Sequence, residues 1–172
     1  MHLEPATPDD LPALHALIEG AFRGDSARRG WSHEADLLDG QRTDADELRE
    51  IIADPAQHML VLRDGDALRA CVALTNKGGG LAYLGMLTVD PTRQAGGLGR
   101  MMMAAAEDHA IAEFGATRME LTIIPHRTEL AAWYERRGYQ LTGERRLFPV
   151  DDPRFGLPKV DNLEFVVMDK AL

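Results

Sequence analysis

Apolar residues recur along this chain with two different periods, and the switches between them divide it. Residues 2–6 read as a short strand. Thr7-Pro8-Asp9-Asp10 then opens a helix, with a threonine cap, proline in the first turn and two acids beside the positive end of the dipole. Leu11, Leu14, Leu17 and Ile18 follow at helical spacing, and Gly20 and Gly24 close the segment. Ser32 is placed to cap a short helix through residue 38, and Asp44 another through residue 52, which Asp54-Pro55 stops. The middle of the chain reads as strands. Residues 58–63 and 67–75 predict a hairpin about Asp64-Gly65-Asp66, and residues 81–89 a longer strand beyond a second, glycine-rich turn. Helical spacing returns over 98–114 and 128–137, closed by Gly115 and Gly138, with strands at 117–124, 139–142 and 162–168. Helices, then an antiparallel meander, then alternating strands and helices predict a mixed α/β (α+β) sandwich around one sheet.

Composition narrows the picture. A length of 172 residues suits one domain spanning residues 1–172, and no repeat, low-complexity tract or linker divides it. A hydrophobic content of 45% argues against disorder. Net charge is −9, from 28 acidic and 19 basic residues, which argues against nucleic acid as the main partner. The first ten residues lack an apolar signal core, and no apolar stretch approaches the ~20 residues of a membrane span. The expectation is therefore a soluble cytoplasmic protein with no membrane partner. The single cysteine, Cys71, excludes an internal disulfide; inside Ala70-Cys71-Val72-Ala73-Leu74 it reads as a small core residue rather than a nucleophile. No metal is expected.

Candidate chemistry lies where the strand over 81–89 meets the helix over 98–114. The junction is Asp90-Pro91-Thr92-Arg93-Gln94-Ala95-Gly96-Gly97-Leu98-Gly99-Arg100. A glycine-rich turn opening a helix is an anion site, because several N–H groups converge there and no Cβ blocks a phosphate. A plain tight turn is the blander reading. A P-loop needs Gly-Lys-Ser/Thr, but Arg100-Met101 follows Gly99. The dinucleotide fingerprint fails because glycines at 96, 97 and 99 do not give Gly-x-Gly-x-x-Gly. What fits is Gln-x-x-Gly-x-Gly, at Gln94, Gly97 and Gly99.

With that motif, with Leu87-Thr88-Val89-Asp90-Pro91 before it and with Trp133-Tyr134-Glu135-Arg136-Arg137-Gly138-Tyr139 later on, the chain resembles the GCN5-related N-acetyltransferase (GNAT) superfamily. The resemblance implies a mostly antiparallel sheet of about six or seven strands with helices on both faces. It implies acetyl-CoA as cosubstrate and an amine of a small molecule, amino acid or peptide as acceptor. The pantetheine arm would lie beside Leu87, Thr88 and Val89, with Gln94 in the motif and the pyrophosphate on the amides of Ala95, Gly96, Gly97, Leu98, Gly99 and Arg100. Arg127 stands where the family often has a cofactor-touching asparagine, so its alkyl stem or guanidinium would take that place. Such proteins often pair as homodimers, though nothing in this sequence marks an interface. A non-catalytic acyl-CoA-binding module on the same fold is the alternative.

The resemblance also implies catalytic roles. Tyr134 matches the family's motif tyrosine and would protonate the departing thiolate; the competing reading is a core aromatic, a part Trp133 can also play. Glu120 would be the base, as a glutamate on that strand is in some branches, against a solvent-facing or paired structural role. His126 is a further candidate. The resemblance places the acceptor pocket on residues 22–42 and 148–160, where Trp31, Glu34 and Asp36 would line a site for a cationic amine. Alternatively Arg23, Arg28 or Arg29 would clamp a carboxylate.

Overall fold

A computed structural model covers the backbone of residues 1–172 and describes the side chains of all but His2, Gly24, Ser26 and Ala95. Its strands form one seven-stranded sheet: β1 (His2–Pro5), β3 (Gln57–Asp64), β4 (Ala67–Gly78), β5 (Leu81–Val89), β6 (Arg118–Ile123), β9 (Glu164–Ala171) and β7 (Gln140–Leu147), in that spatial order. Two further strands, β2 (Leu38–Asp39) and β8 (Leu157–Pro158), pair separately. Every neighbouring pair in the large sheet is antiparallel except β5 and β6.

Both faces of the sheet are covered, as the mixed architecture requires. Alternation along β3 sends Met59 and Val61 one way and Leu60 and Leu62 the other, and all four are buried. On the first face, α1 (Leu11–Phe22) and α3 (Ala45–Ala53) bring Leu14, Ile18, Leu48 and Ile51 against Met59, Val61 and Cys71. On the second, α4 (Leu98–Phe114) packs Met102, Met103, Ala106 and Ala110 onto Val72, Leu84 and Leu121. Cys71 is fully buried, and burial pushes its thiol up to about 12, in keeping with a core role. Among the described residues, no helix is long and apolar enough to cross a membrane.

The structure departs from the sequence-based elements in three places. Residues 32–38 form turns leading into β2 rather than a helix, and a short helix, α2 (Gly24–Ala27), precedes them. The strand predicted at 139–142 begins at Gln140 and runs to Leu147. The segment before β9 contributes β8, which seats against β2. Each difference joins two stretches distant in sequence, which local periodicity cannot reveal.

One feature of the sheet positions the site. β5 and β6 pair only at Leu81–Arg118, Ala82–Met119 and Tyr83–Glu120, and then part. Beyond this point β5 continues beside β4, with a register shift between Cys71 and Ala73 that leaves two residues of β5, Met86 and Leu87, opposite one of β4. Met86 occupies the left-handed region at φ 51°, and Thr88 donates its hydroxyl to the Met86 carbonyl at 2.8 Å. The bulge and the absent ladder open a cleft in the middle of the sheet.

Candidate active site

The cleft continues into a cavity of about 430 Å³ between the splayed strands. One end is built by the glycine-rich junction. Gly97 takes φ 75°, a conformation costly for any residue with a Cβ, and turns the chain from a 3₁₀ segment (Pro91–Gly96) into α4. The first amides of α4, at Leu98, Gly99 and Arg100, have no intrahelical acceptor, and the helix dipole adds positive potential there. Arg100 and Arg137 line this end. Arg137 stacks on Trp133, its guanidinium carbon 3.4 Å from the ring centroid, and its buried Nε has no partner among the described residues. An orphaned buried donor beside free helix amides fits a pyrophosphate.

In the middle, β5 offers Gly85, Met86, Leu87 and Val89 to the cavity, while Tyr134 closes the wall from α5 (Thr128–Glu135). Tyr134 is only 6% exposed and packs edge-on against Trp133 and Tyr139. Its hydroxyl has no hydrogen-bond partner among the described residues. Burial pushes its phenol up to about 12, so it stays protonated at neutral pH. Across the cleft, the Tyr83 and Thr122 hydroxyls lie 2.9 Å apart.

The far end is polar at its wall and aromatic at its rim. Glu34 is held by two arginines: Arg23 bonds its Oε2, and Arg127 donates to its Oε1 at 2.9 Å. Arg127 also donates to the Ser32 carbonyl, and Arg23 to the Phe155 carbonyl at 3.2 Å. Burial alone would raise the Glu34 carboxyl, but the fields of Arg127, Arg42 and Arg23 together hold it below its ordinary value. Burial lowers Arg127 in turn, with Glu34 opposing.

The residues singled out in the sequence divide accordingly. Leu87, Val89, Gln94, Gly97, Gly99, Arg100, Arg127, Tyr134, Trp31 and Glu34 line the one cavity. Thr88 and Leu98 are buried in the protein interior and do not line it, and neither does Gly96. The side chain of Ala95 lies outside the described residues. Glu120 does not reach the cavity wall: Arg146 on β7 grips both its oxygens, at 3.2 and 3.3 Å. Asp36 pairs with Arg28 on the surface, and neither they nor Arg29 line the cavity. His126 is exposed. Arg42, Phe22, Phe148 and Phe155 also line it, from the two stretches expected to hold the acceptor, although none of them was singled out as a site residue. Sequence reasoning missed Glu47, and it named Arg137 only as part of the segment that holds Tyr134.

Comparison with known proteins adds a lineage. The family model described as "Acetyltransferase (GNAT) family" matches residues 22–139. A search among curated proteins returns no match. Among solved structures, the chain is similar to a ribosomal-protein-alanine N-acetyltransferase from Brucella melitensis, with 16% identity, a TM-score of 0.73 and 100% of each chain covered. It is also similar to a putative phosphinothricin N-acetyltransferase, with 15% identity, a TM-score of 0.72 and 99% of this chain and 98% of that one covered. A variant of a spermidine N-acetyltransferase from Vibrio cholerae superposes with a TM-score of 0.68 at 16% identity, covering 99% of this chain and 95% of that one. Identities this low establish a shared fold, and these three proteins are named for three different acceptors.

Proposed function

Because the chain belongs to the acetyltransferase (GNAT) family, we propose that it is an N-acetyltransferase, one domain over residues 1–172, that moves an acetyl group from acetyl-CoA to a primary amine by direct attack. Acetyl-CoA supplies an activated thioester. The residues of this chain bind and orient it. The amides of Leu98, Gly99 and Arg100, with Arg100 and Arg137, receive the pyrophosphate. The open edge of β5 beside Leu87 and Val89 receives the amide-bearing arm, in place of the hydrogen bonds that β6 does not supply.

In the transfer, the bond between the amine nitrogen and the acetyl carbon forms as the carbon–sulfur bond breaks. The nitrogen loses one proton and the sulfur gains one. Tyr134 supplies the second from a phenol that burial keeps protonated. We assign no direct transfer to Glu120, whose carboxylate is engaged by Arg146 away from the cavity wall. The amine gives its proton to water, and water returns one to the Tyr134 phenolate, so that no net proton is gained or lost.

The observation that carries this reading is Tyr134, a buried side chain in the wall of the cleft between β5 and β6 whose hydroxyl has no partner among the described residues. Tyr134→Phe is the test. It should lower kcat by about 100-fold or more, the usual weight of a general acid, while calorimetry finds acetyl-CoA bound as in the parent protein. Unchanged turnover would remove Tyr134 from the chemistry. Binding of acetyl-CoA with no transfer to any amine would make the chain a binding module.

A further inference from the structure

Three arginines meet at the far end of the cavity, and the guanidinium of one of them bonds no carboxylate among the described residues. Arg23, Arg42 and Arg127 face Glu34 and Glu47 there. Glu34 is fully committed, one oxygen to Arg23 and the other to Arg127. Glu47 accepts from the Thr43 hydroxyl at 2.7 Å. Arg42 has its backbone N–H fixed by the Glu19 carboxylate at 2.6 Å, and its guanidinium lies over the Phe22 ring, 5.4 Å from the centroid. Among the described residues, that guanidinium has no hydrogen bond and no ion pair. Stacking fixes the plane of an arginine and leaves its edge donors free, an arrangement suited to a planar anion. Arg23 beside it is 5% exposed; its terminal nitrogens are bonded to Glu34 and Phe155, and only its Nε has no partner among the described residues. A partly buried guanidinium without a bonded carboxylate gains from an anion that arrives to meet it.

We propose that the acceptor is an amine bearing a carboxylate on an apolar body, and that Arg42 holds that carboxylate. The inference rests on the acyl-transfer reading above and deepens it. The apolar body has its own surfaces at this end, in Phe22, Leu38, Ile51, Phe148 and Phe155. The pyrophosphate is accounted for separately, by the amides that open α4 with Arg100 and Arg137, so Arg42 is left for the acceptor. Glu34, expected from the sequence to attract an ammonium, is instead the counter-ion that keeps Arg23 and Arg127 in place. Free amino acids with apolar side chains have this chemistry. A peptide N-terminus does not, because its neighbouring carbonyl is an amide.

The proposal is tested with the full chain, acetyl-CoA and matched acceptors, reading thiol release and product mass. The panel pairs L-phenylalanine, L-leucine and L-methionine with their carboxamides, their decarboxylated amines and a dipeptide of each. The free amino acids should exceed the others in kcat/KM by about 10- to 100-fold, the range for one charge-assisted contact. Arg42→Gln should bring that ratio close to one, mainly by raising KM, and Arg42→Lys should retain part of it. Equal or better turnover of the carboxamides or amines overturns the proposal and leaves acetyl transfer standing. So does a preference that survives Arg42→Gln in a variant whose thermal melt matches the parent. Binding of acetyl-CoA without transfer to any carboxylate-bearing acceptor also overturns it. Failure to bind acetyl-CoA at all overturns the acyl-transfer reading itself.

Discussion

Gln94 is spent on the chain before it rather than on a ligand. Its Oε1 accepts from the Trp31 amide at 2.8 Å, and its Nε2 donates to the Ser32 hydroxyl at 2.8 Å. The link ties the segment carrying Glu34 to the glycine-rich junction, and it depends on a neighbour with no side chain. A Cβ on Gly30 would stand 2.6 Å from Gln94 Oε1, well inside contact distance. Gly30→Ala and Gln94→Ala therefore remove the same connection. Each should lower kcat/KM for acetyl-CoA by about fivefold, the worth of roughly one net hydrogen bond, and the double variant should be no worse than either single one. Steady-state kinetics on the three proteins would show whether the losses add, which would separate the two residues. Gln94 was visible in the sequence as a motif position, but its partners lie more than sixty residues upstream and no spacing rule points to them.

At the scale of elements, local signals held where a helix or strand closes its own hydrogen bonds. Asp44 caps α3 as its sequence suggested, accepting from the Glu47 amide at 2.8 Å. Asp44→Ala should lower stability by removing that cap, read as a lower urea midpoint. It should also disturb Glu47, which that helix delivers to the cavity. Gly115 closes α4 in the left-handed region as expected. The segment after Ser32 misled for the opposite reason. Its groups are claimed from elsewhere: the Ser32 carbonyl by Arg127, the Ser32 hydroxyl by Gln94, and Leu38 by Pro158 in the β2–β8 pair. The end of β7 was cut short because Gly143 reads as a break. The structure absorbs it in a register shift against β9 between Leu141 and Arg145. The cavity wall formed by the glycine-rich junction and α5 was legible because its residues lie in two contiguous motifs. On the other side the sequence marked only the broad stretches 22–42 and 148–160; it did not point to Phe22, Arg42, Phe148 or Phe155 within them, nor to Glu47, which a separate helix brings in.

Across the whole molecule, carboxylates held by arginine tie one element to another. Asp10 at the start of α1 bonds Arg63 on β3, which also pairs with Glu4 on β1. Burial works to raise the Asp10 carboxyl, but the bonds from Arg63 and Thr7 prevail and hold it below its ordinary 3.8. A carboxyl depressed on folding stabilises the protein above its unfolded value, and that contribution is lost as pH falls through the folded value. Glu34 is depressed as well, so acid should loosen the first helix and the acceptor end together. Urea unfolding at pH 6 and pH 3 should therefore give a marked drop in stability, and Asp10→Asn should shrink that drop while lowering stability at pH 6. An unaltered drop in the variant would assign acid sensitivity to other groups.

The parting of β5 from β6 has a consequence of a different kind. Sheet edges ordinarily face outward, where charge or irregularity keeps foreign strands from docking. Past Tyr83, the free side of β5 turns inward, onto a cleft whose opposite bank, β6, is already paired with β9. A strand belonging to another folded protein is too broad to follow it in, whereas one extended chain without bulky neighbours can. The cleft thus sorts visitors by width before any side chain reads their charge, and a hazard common to sheet proteins becomes a gauge.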